Sequence, residues 1–182
     1  MSRPAAPFTI HDDLAPYAVP PSDWHRTHGN KYGGLVAAAL VFDAQGRVLL
    51  VRRAAHDFLP GHWEPPGGSV DDDHDESILH ACVRELKEEA SLVARRVECE
   101  VGEGIEFSIR DLRYRRLTFL VAVEEEGGQV ETDQQEHSEW KWASEEEVRA
   151  ERMADGRDMP VTFPEVKESL LKGFQLQSTG TA

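Results

Sequence analysis

Residues 33–43 (GGLVAAALVFD) are apolar almost without interruption, the pattern of a strand buried on both faces. Asp43-Ala44-Gln45-Gly46 is a turn signal, and 47–53 (RVLLVRR) reads as the next strand, so the two predict a hairpin. Pro60, Pro65, Pro66, Gly67 and Gly68 then punctuate a loop-rich stretch. A helix is expected at about 75–90. Ile78, Leu79, Cys82, Val83, Leu86 and Ala90 recur at i, i+3 and i+4 and form its apolar stripe. Asp73, with Glu76 three residues on, is its expected N-terminal cap. Residues 94–101, 104–110 and 113–124 read as strands, and 138–143 (SEWKWA) alternates like an edge strand. Ser144 followed by three acids starts a further helix, and 160–174 supplies the last. Strands interleaved with helices predict an α/β fold, a sandwich built on a mixed sheet.

Residues 1–30 break these periods. They hold five prolines and are expected to form an extension that wraps the surface or is partly disordered. The domain proper is expected at 31–174, and 175–182 as a flexible tail. A chain of 182 residues suits one domain. Its formal charge of −14 lacks the footprint of a duplex nucleic-acid binder and is repelled by anionic membranes. Any phosphate ligand must therefore come with a cation or meet a local cluster of arginines. Cys82 and Cys99 make neither a disulfide framework nor a C-x-x-C zinc pair, and they read as free thiols. No apolar run approaches a membrane span and no signal-peptide core is present, so the expectation by default is cytoplasmic.

The segment Val83-Arg84-Glu85-Leu86-Lys87-Glu88-Glu89 crowds three carboxylates on one side of the expected helix. At about 100° per residue, Glu85, Glu88 and Glu89 share an arc of about 100°. Like charges repel there, so the face is either solvated or waits for a cation. Hard divalent ions such as Mg²⁺ take carboxylate oxygens and bridge to phosphates.

With Pro65-Pro66-Gly67-Gly68 ahead and Glu76 eight positions before Arg84, this segment resembles the Nudix box. That pattern is a glycine, five residues, Glu, seven residues, then Arg-Glu-hydrophobic-x-Glu-Glu-x-Gly-hydrophobic. Arg84, Glu85, Leu86, Glu88, Glu89 and Leu92 match, and the resemblance extends over roughly 33–150. Two departures stand out. Seven residues, 69–75 (SVDDDHD), lie where the pattern has five, and Ser91 replaces its last Gly.

The resemblance implies a Nudix-type α/β/α sandwich with a catalytic loop–helix–loop. It implies an enzyme that hydrolyses a phosphoanhydride bond with Mg²⁺, or Mn²⁺ in its place. The substrate implied is a small diphosphate compound, most simply a nucleoside di- or triphosphate or a derivative, handled by a monomer or homodimer. Glu85, Glu88 and Glu89 would hold the metal with a backbone carbonyl of Gly67 or Gly68. Arg84 would pair with Glu76 or orient Glu85. A further Glu from a remote loop often completes such a site. Within 133–140, which offers Glu136, His137 and Glu139, Glu136 is favoured, and it shares with Glu85 the candidacy for general base. Arg52 and Arg53 are candidates for the phosphates, and Phe58, Trp63 and Trp142 for stacking on a base. Two other readings remain: a catalytically silent nucleotide-binding or sensor module on the same fold, and a hydrolase of a prenyl or sugar diphosphate. Prenyl-diphosphate isomerisation would need a cysteine in the pocket, whereas Cys82 lies on the apolar stripe.

Overall fold

A computed structural model of the chain describes residues 8–124, 130–132 and 137–179. The strands are β1 (Thr9–Ile10), β2 (Gly34–Leu40), β3 (Val48–Arg53), β4 (Trp63–Glu64), β5 (Gly67–Ser69), β6 (Ala94–Glu100), β7 (Ile105–Ile109), β8 (Leu112–Val123) and β9 (His137–Ala143). The helices are α1 (Pro21–Thr27), α2 (Ile78–Ala90), α3 (Glu145–Ala150) and α4 (Pro164–Thr179). The larger sheet has the order β1-β6-β8-β2-β5, with β7 also paired to β8. β2 and β8 run parallel, with Gly34 opposite Tyr114 and Leu40 opposite Leu120, while β5 is antiparallel to β2, and β6 and β7 are antiparallel to β8. A smaller antiparallel sheet has the order β4-β3-β9.

β2 and the 116–121 part of β8 are central because both faces are covered there, as the apolar run of β2 requires. One hydrophobic cluster joins the α2 stripe (Leu79, Cys82, Leu86) to Leu35, Ala37, Leu117 and Phe119. The other joins Leu40 and Leu120 to Leu50 and Trp63 of the small sheet and to Val148, Leu170 and Phe174 of α3 and α4. The larger mixed sheet and the smaller antiparallel one, with helices on both sides, make an α/β/α sandwich.

The N-terminal segment departs most from expectation. β1 pairs with β6 in parallel, with Thr9 opposite Arg96. Residues Asp12–Tyr17 form a 3-10 turn and Pro21 opens α1. Leu14 and Trp24 are each only 2% exposed and belong to the same cluster as α2. Each piece is too short to show a period, so its apolar residues do not announce a buried face in the sequence. At the other end α4 runs on to Thr179, past the boundary expected at 174.

The cap of α2 also differs from expectation. Ser77, in extended backbone, accepts from the His80 amide at 3.3 Å and starts the helix at Ile78. Asp73 lies upstream in a turn held by Asp71 and Asp75, where the Asp71 amide donates to Asp75 Oδ2 at 2.8 Å. At the far end, Ser91 takes a left-handed conformation (φ 57°) and its amide donates to the Lys87 carbonyl at 3.0 Å. A side chain in that region costs about 1–2 kcal/mol, part of which Gly returns as unfolded-chain entropy. Ser91→Gly is therefore expected to stabilise the fold by about 0.5–1 kcal/mol. A rise in the urea midpoint at constant slope checks this, and an unchanged midpoint contradicts it.

Candidate active site

α2 and β5 meet where the chain turns out of the central sheet. β5 packs on β2, with Gly67 opposite Ala38 and Gly68 opposite Ala37. Neither glycine has room for a side chain. A Cβ on Gly67 would lie 2.5 Å from the Ala37 carbonyl oxygen, and one on Gly68 would lie 2.5 Å from the Glu85 carboxylate. The two glycines let α2 lay its acidic edge directly on the β5 backbone. Glu89, only 6% exposed, accepts the Gly67 amide at 2.7 Å, and His137 Nε2 stands 3.7 Å from its other oxygen.

Arg84 organises the remaining acids. Its Nη1 donates to Glu85 at 2.8 Å and to Glu88 at 3.0 Å, and its Nη2 to the Ser69 carbonyl at 2.9 Å. Its Nε and Nη2 form a fork on Asp75, each at 2.9 Å. Those Asp75 hydrogen bonds, with Glu85 adding to them against the effect of burial, hold the guanidinium above its usual range. Glu76, expected as a partner of Arg84, instead faces His80 Nε2 at 3.4 Å with its side chain 83% exposed. The acid that holds Arg84 is Asp75, one position earlier in the chain.

Glu85, Glu89, Gly67 and Gly68 line one end of a cavity of about 820 Å³. Its inner wall carries an ionic group. Glu64 lies between Arg53, which pairs with it directly, and Arg116 at 3.1 Å. Its other end is aromatic. Phe163 stands with ring centroids 6.3 Å from both Phe58 and Phe107, and all three rings line the space.

Some expected site residues fall elsewhere. Arg52 points away from the cavity, donating to the Gly61 carbonyl at 3.2 Å and to Glu139 at 3.4 Å. The strand register shifts between the two, and Arg53, not Arg52, lines the cavity, so they do not share a role. Trp63 is 1% exposed in the second cluster, and Trp142 packs partly buried against the first; neither lines the cavity. Of the three proposed stacking residues, only Phe58 lines it. Glu88 is 61% exposed and outside the lining, turned toward Arg84. Glu136 lies outside the described residues, but its neighbour His137 lines the cavity.

Glu64, Arg116, Phe107 and Phe163 did not emerge from the sequence. A signal existed for one pair. Arg116 opens the run from Leu117 to Val121, buried along its whole length, and an arginine beside such a run calls for a buried acid. Glu64 supplies it from 52 residues away. Cys82 is fully buried, and that burial pushes its thiol well above the usual range, so it is not a poised nucleophile.

A strand-bounded acidic helix on a glycine backbone, within an α/β/α sandwich, defines a class. A family model described as the NUDIX domain matches residues 34–162. The chain is 33% identical over 110 residues to the CTP pyrophosphohydrolase of Escherichia coli (strain K12), covering 60% of this chain and 76% of that protein. It is 28% identical over 89 residues to the 8-oxo-dGTP diphosphatase of Proteus vulgaris, covering 49% and 75%. Among solved structures, the E. coli ORF135 protein superposes with a TM-score of 0.61 at 23% identity, covering 83% of this chain and 95% of that one. The MutT protein from Methanosarcina mazei Go1 superposes at 0.57 and 23%, covering 81% and 94%. At such identity these two show the shared fold. The chain belongs to the Nudix family. It is an enzyme of the pyrophosphohydrolase type, acting on phosphoanhydride bonds.

Proposed function

We propose that this chain hydrolyses a phosphoanhydride bond in a nucleoside di- or triphosphate or a close derivative, using Mg²⁺. The observation that carries this reading is the polarity of one cavity. Carboxylates and bare backbone of α2 and β5 line one end of it, and three phenyl rings, with Asp57, Glu106 and Glu165 also in the wall, line the other. A nucleotide has the same two ends. The activities named for the two relatives, on CTP and 8-oxo-dGTP, support the same class.

The donor set suits a hard dication. Glu85, Glu88 and Glu89 present carboxylate oxygens, and β5 presents backbone with no side chain in the way at Gly68. Among the described residues no three acidic, His or Cys side chains stand close enough to form a ready-made cluster. The charge of Glu85 and Glu88 is instead met by Arg84 Nη1. Glu85 and Glu89, with a carbonyl of Gly67 or Gly68, would hold the ion, and Glu88 would join by turning inward. When bound, such an ion neutralises phosphate charge and acidifies a bound water. Glu85 or Glu136 accepts the proton of the attacking water. Arg53, held by Glu64 and by Asp57 at 2.6 Å, borders the phosphate path. Phe107 and Phe163, with Phe58 at the rim, take the base. We place the enzyme in the cytoplasm; no described helix is long and apolar enough to cross a membrane.

The test is a nucleotide panel with Mg²⁺, the products identified by mass. Splitting of at least one nucleoside di- or triphosphate is expected. Phe107→Ala is expected to raise KM for it about tenfold with little change in kcat, since base–aromatic stacking contributes about 1–3 kcal/mol. An unchanged KM removes the base from the aromatic end. Tight nucleotide binding without turnover would make the chain a sensor module.

A further inference from the structure

We infer that Asp75, not the box acid Glu76, is the positioning residue for the catalytic helix, delivered to that place by the two extra residues of the loop 69–75. The inference rests on the metal-dependent reading above and assigns a residue that acts on it through Arg84.

A guanidinium has five N–H donors in a rigid plane. In Arg84 all five are used: two on Asp75, one each on Ser69 O, Glu85 and Glu88. Asp75 supplies the only two-point contact of the set. A fork–fork pair fixes the plane as well as the position. With that plane fixed, Nη1 must point at Glu85 and Glu88, and Nη2 at the carbonyl that follows Gly68. Asp75 thus sets the direction from which two metal-side carboxylates and the β5 backbone are held.

The pair is built for this. The Asp75 side chain is 4% exposed, and its Oδ2 also takes the Asp71 amide, so its own orientation is locked. His74 and Asp73 close the same turn on Asp71. Glu76 lacks every one of these features. Its side chain is in solvent, and the partner it faces among the described residues is His80 Nε2, at 3.4 Å. The turn over 71–75 folds back so that position 75, not 76, meets Arg84.

Three variants test this: Asp75→Asn, Glu76→Gln and Arg84→Lys. Asn keeps the shape of Asp but replaces one accepting oxygen with a donor. The direct readout is the Arg84 Nε–H resonance in a ¹⁵N spectrum. It is expected to shift on Asp75→Asn and to stay in place on Glu76→Gln. The second is Mn²⁺ affinity of the free protein, followed by electron paramagnetic resonance. Partners behind metal ligands typically control affinity by about 10–100-fold. Asp75→Asn is expected to weaken Mn²⁺ by about tenfold and to lower kcat while KM for the nucleotide holds. Glu76→Gln is expected within about twofold of wild type in all of these. The double variant Asp75→Asn plus Arg84→Lys should bind Mn²⁺ no more weakly than the worse single one, because both act through one guanidinium.

Additive losses, or a Glu76→Gln loss as large as that of Asp75→Asn, overturn the assignment. So does an Asp75→Asn protein that melts lower but binds Mn²⁺ normally when folded, since that role is structural alone. Should Asp75→Asn fail to fold, Arg84→Lys against Glu76→Gln carries the affinity comparison. Absence of hydrolysis in every form, with the resonance and Mn²⁺ pattern as expected, sinks the proposed reaction and leaves the positioning role standing.

Discussion

Glu85→Gln is expected to lower kcat by about 10²–10⁴-fold while the protein stays folded. Glu85 is the carboxylate on which the features of the site converge. It lines the cavity, touches the β5 backbone where Gly68 has no side chain, and accepts from Arg84. The Gln side chain is nearly isosteric, so packing is kept, but one carboxylate charge is gone. The amide nitrogen can also face Arg84 Nη1, donor against donor, and turn away from it. A hard dication loses a charged ligand in the process, and a water loses a candidate proton acceptor. Steady-state kinetics with saturating Mg²⁺, beside a circular-dichroism melt, measure this. A kcat within threefold of wild type, with a normal melt, would remove Glu85 from the chemistry.

The largest expected effect on stability lies far from that chemistry. Trp24→Ala should destabilise the fold by about 3–5 kcal/mol. Trp24 is 2% exposed, stacks on His28 at 3.7 Å and lies 6.0 Å from the Tyr32 ring. Its removal opens a cavity in the cluster that also holds Leu79, Cys82 and Leu86 of α2. Its indole nitrogen is buried without a hydrogen bond, so loss of that unmet donor draws the effect toward the lower end. Urea titration of the two proteins gives the difference directly. A loss below about 1 kcal/mol would make residues 8–30 a surface wrap, as their composition first suggests. Trp24 lies before residue 34, where the match to the family model begins, so this core is a contribution of the chain's own N-terminal segment.

The parts that the sequence showed are those governed by short-range periodicity. The stripe from Ile78 to Ala90 and the acidic edge of Glu85, Glu88 and Glu89 are read at helical spacing, and α2 forms there. The continuous apolar run at 34–40 and the run at 112–123, rich in β-branched and aromatic types, identify the two central strands. The box was legible for the same reason: its residues are close in sequence and their spacing sets their geometry.

The helix start was misplaced by several residues because Asp73, Asp75 and Ser77 are all of types that cap helices. Choosing Ser77 requires knowing that Asp75 is already committed to Arg84. The aromatic end of the cavity brings together Phe58, Phe107 and Phe163 from three separate segments. No local spacing links them. Trp63 was a reasonable candidate for stacking by residue type, but its strand turns it toward α3 and α4.

By itself, then, the sequence determined the interleaving of strands and helices, the helix α2 and the carboxylates on its edge, since these follow from the fixed advance per residue of helix and strand, while a catalytic role for that helix came from its resemblance to the Nudix box. Only the tertiary structure decided which acid holds Arg84, which arginine of the adjacent pair faces the cavity, and that the proline-broken N-terminal segment is core. Those outcomes depend on contacts between residues tens of positions apart and on which face each segment turns inward. Packing sets them, because a buried charge must find its partner and a buried ring its neighbours wherever along the chain they lie.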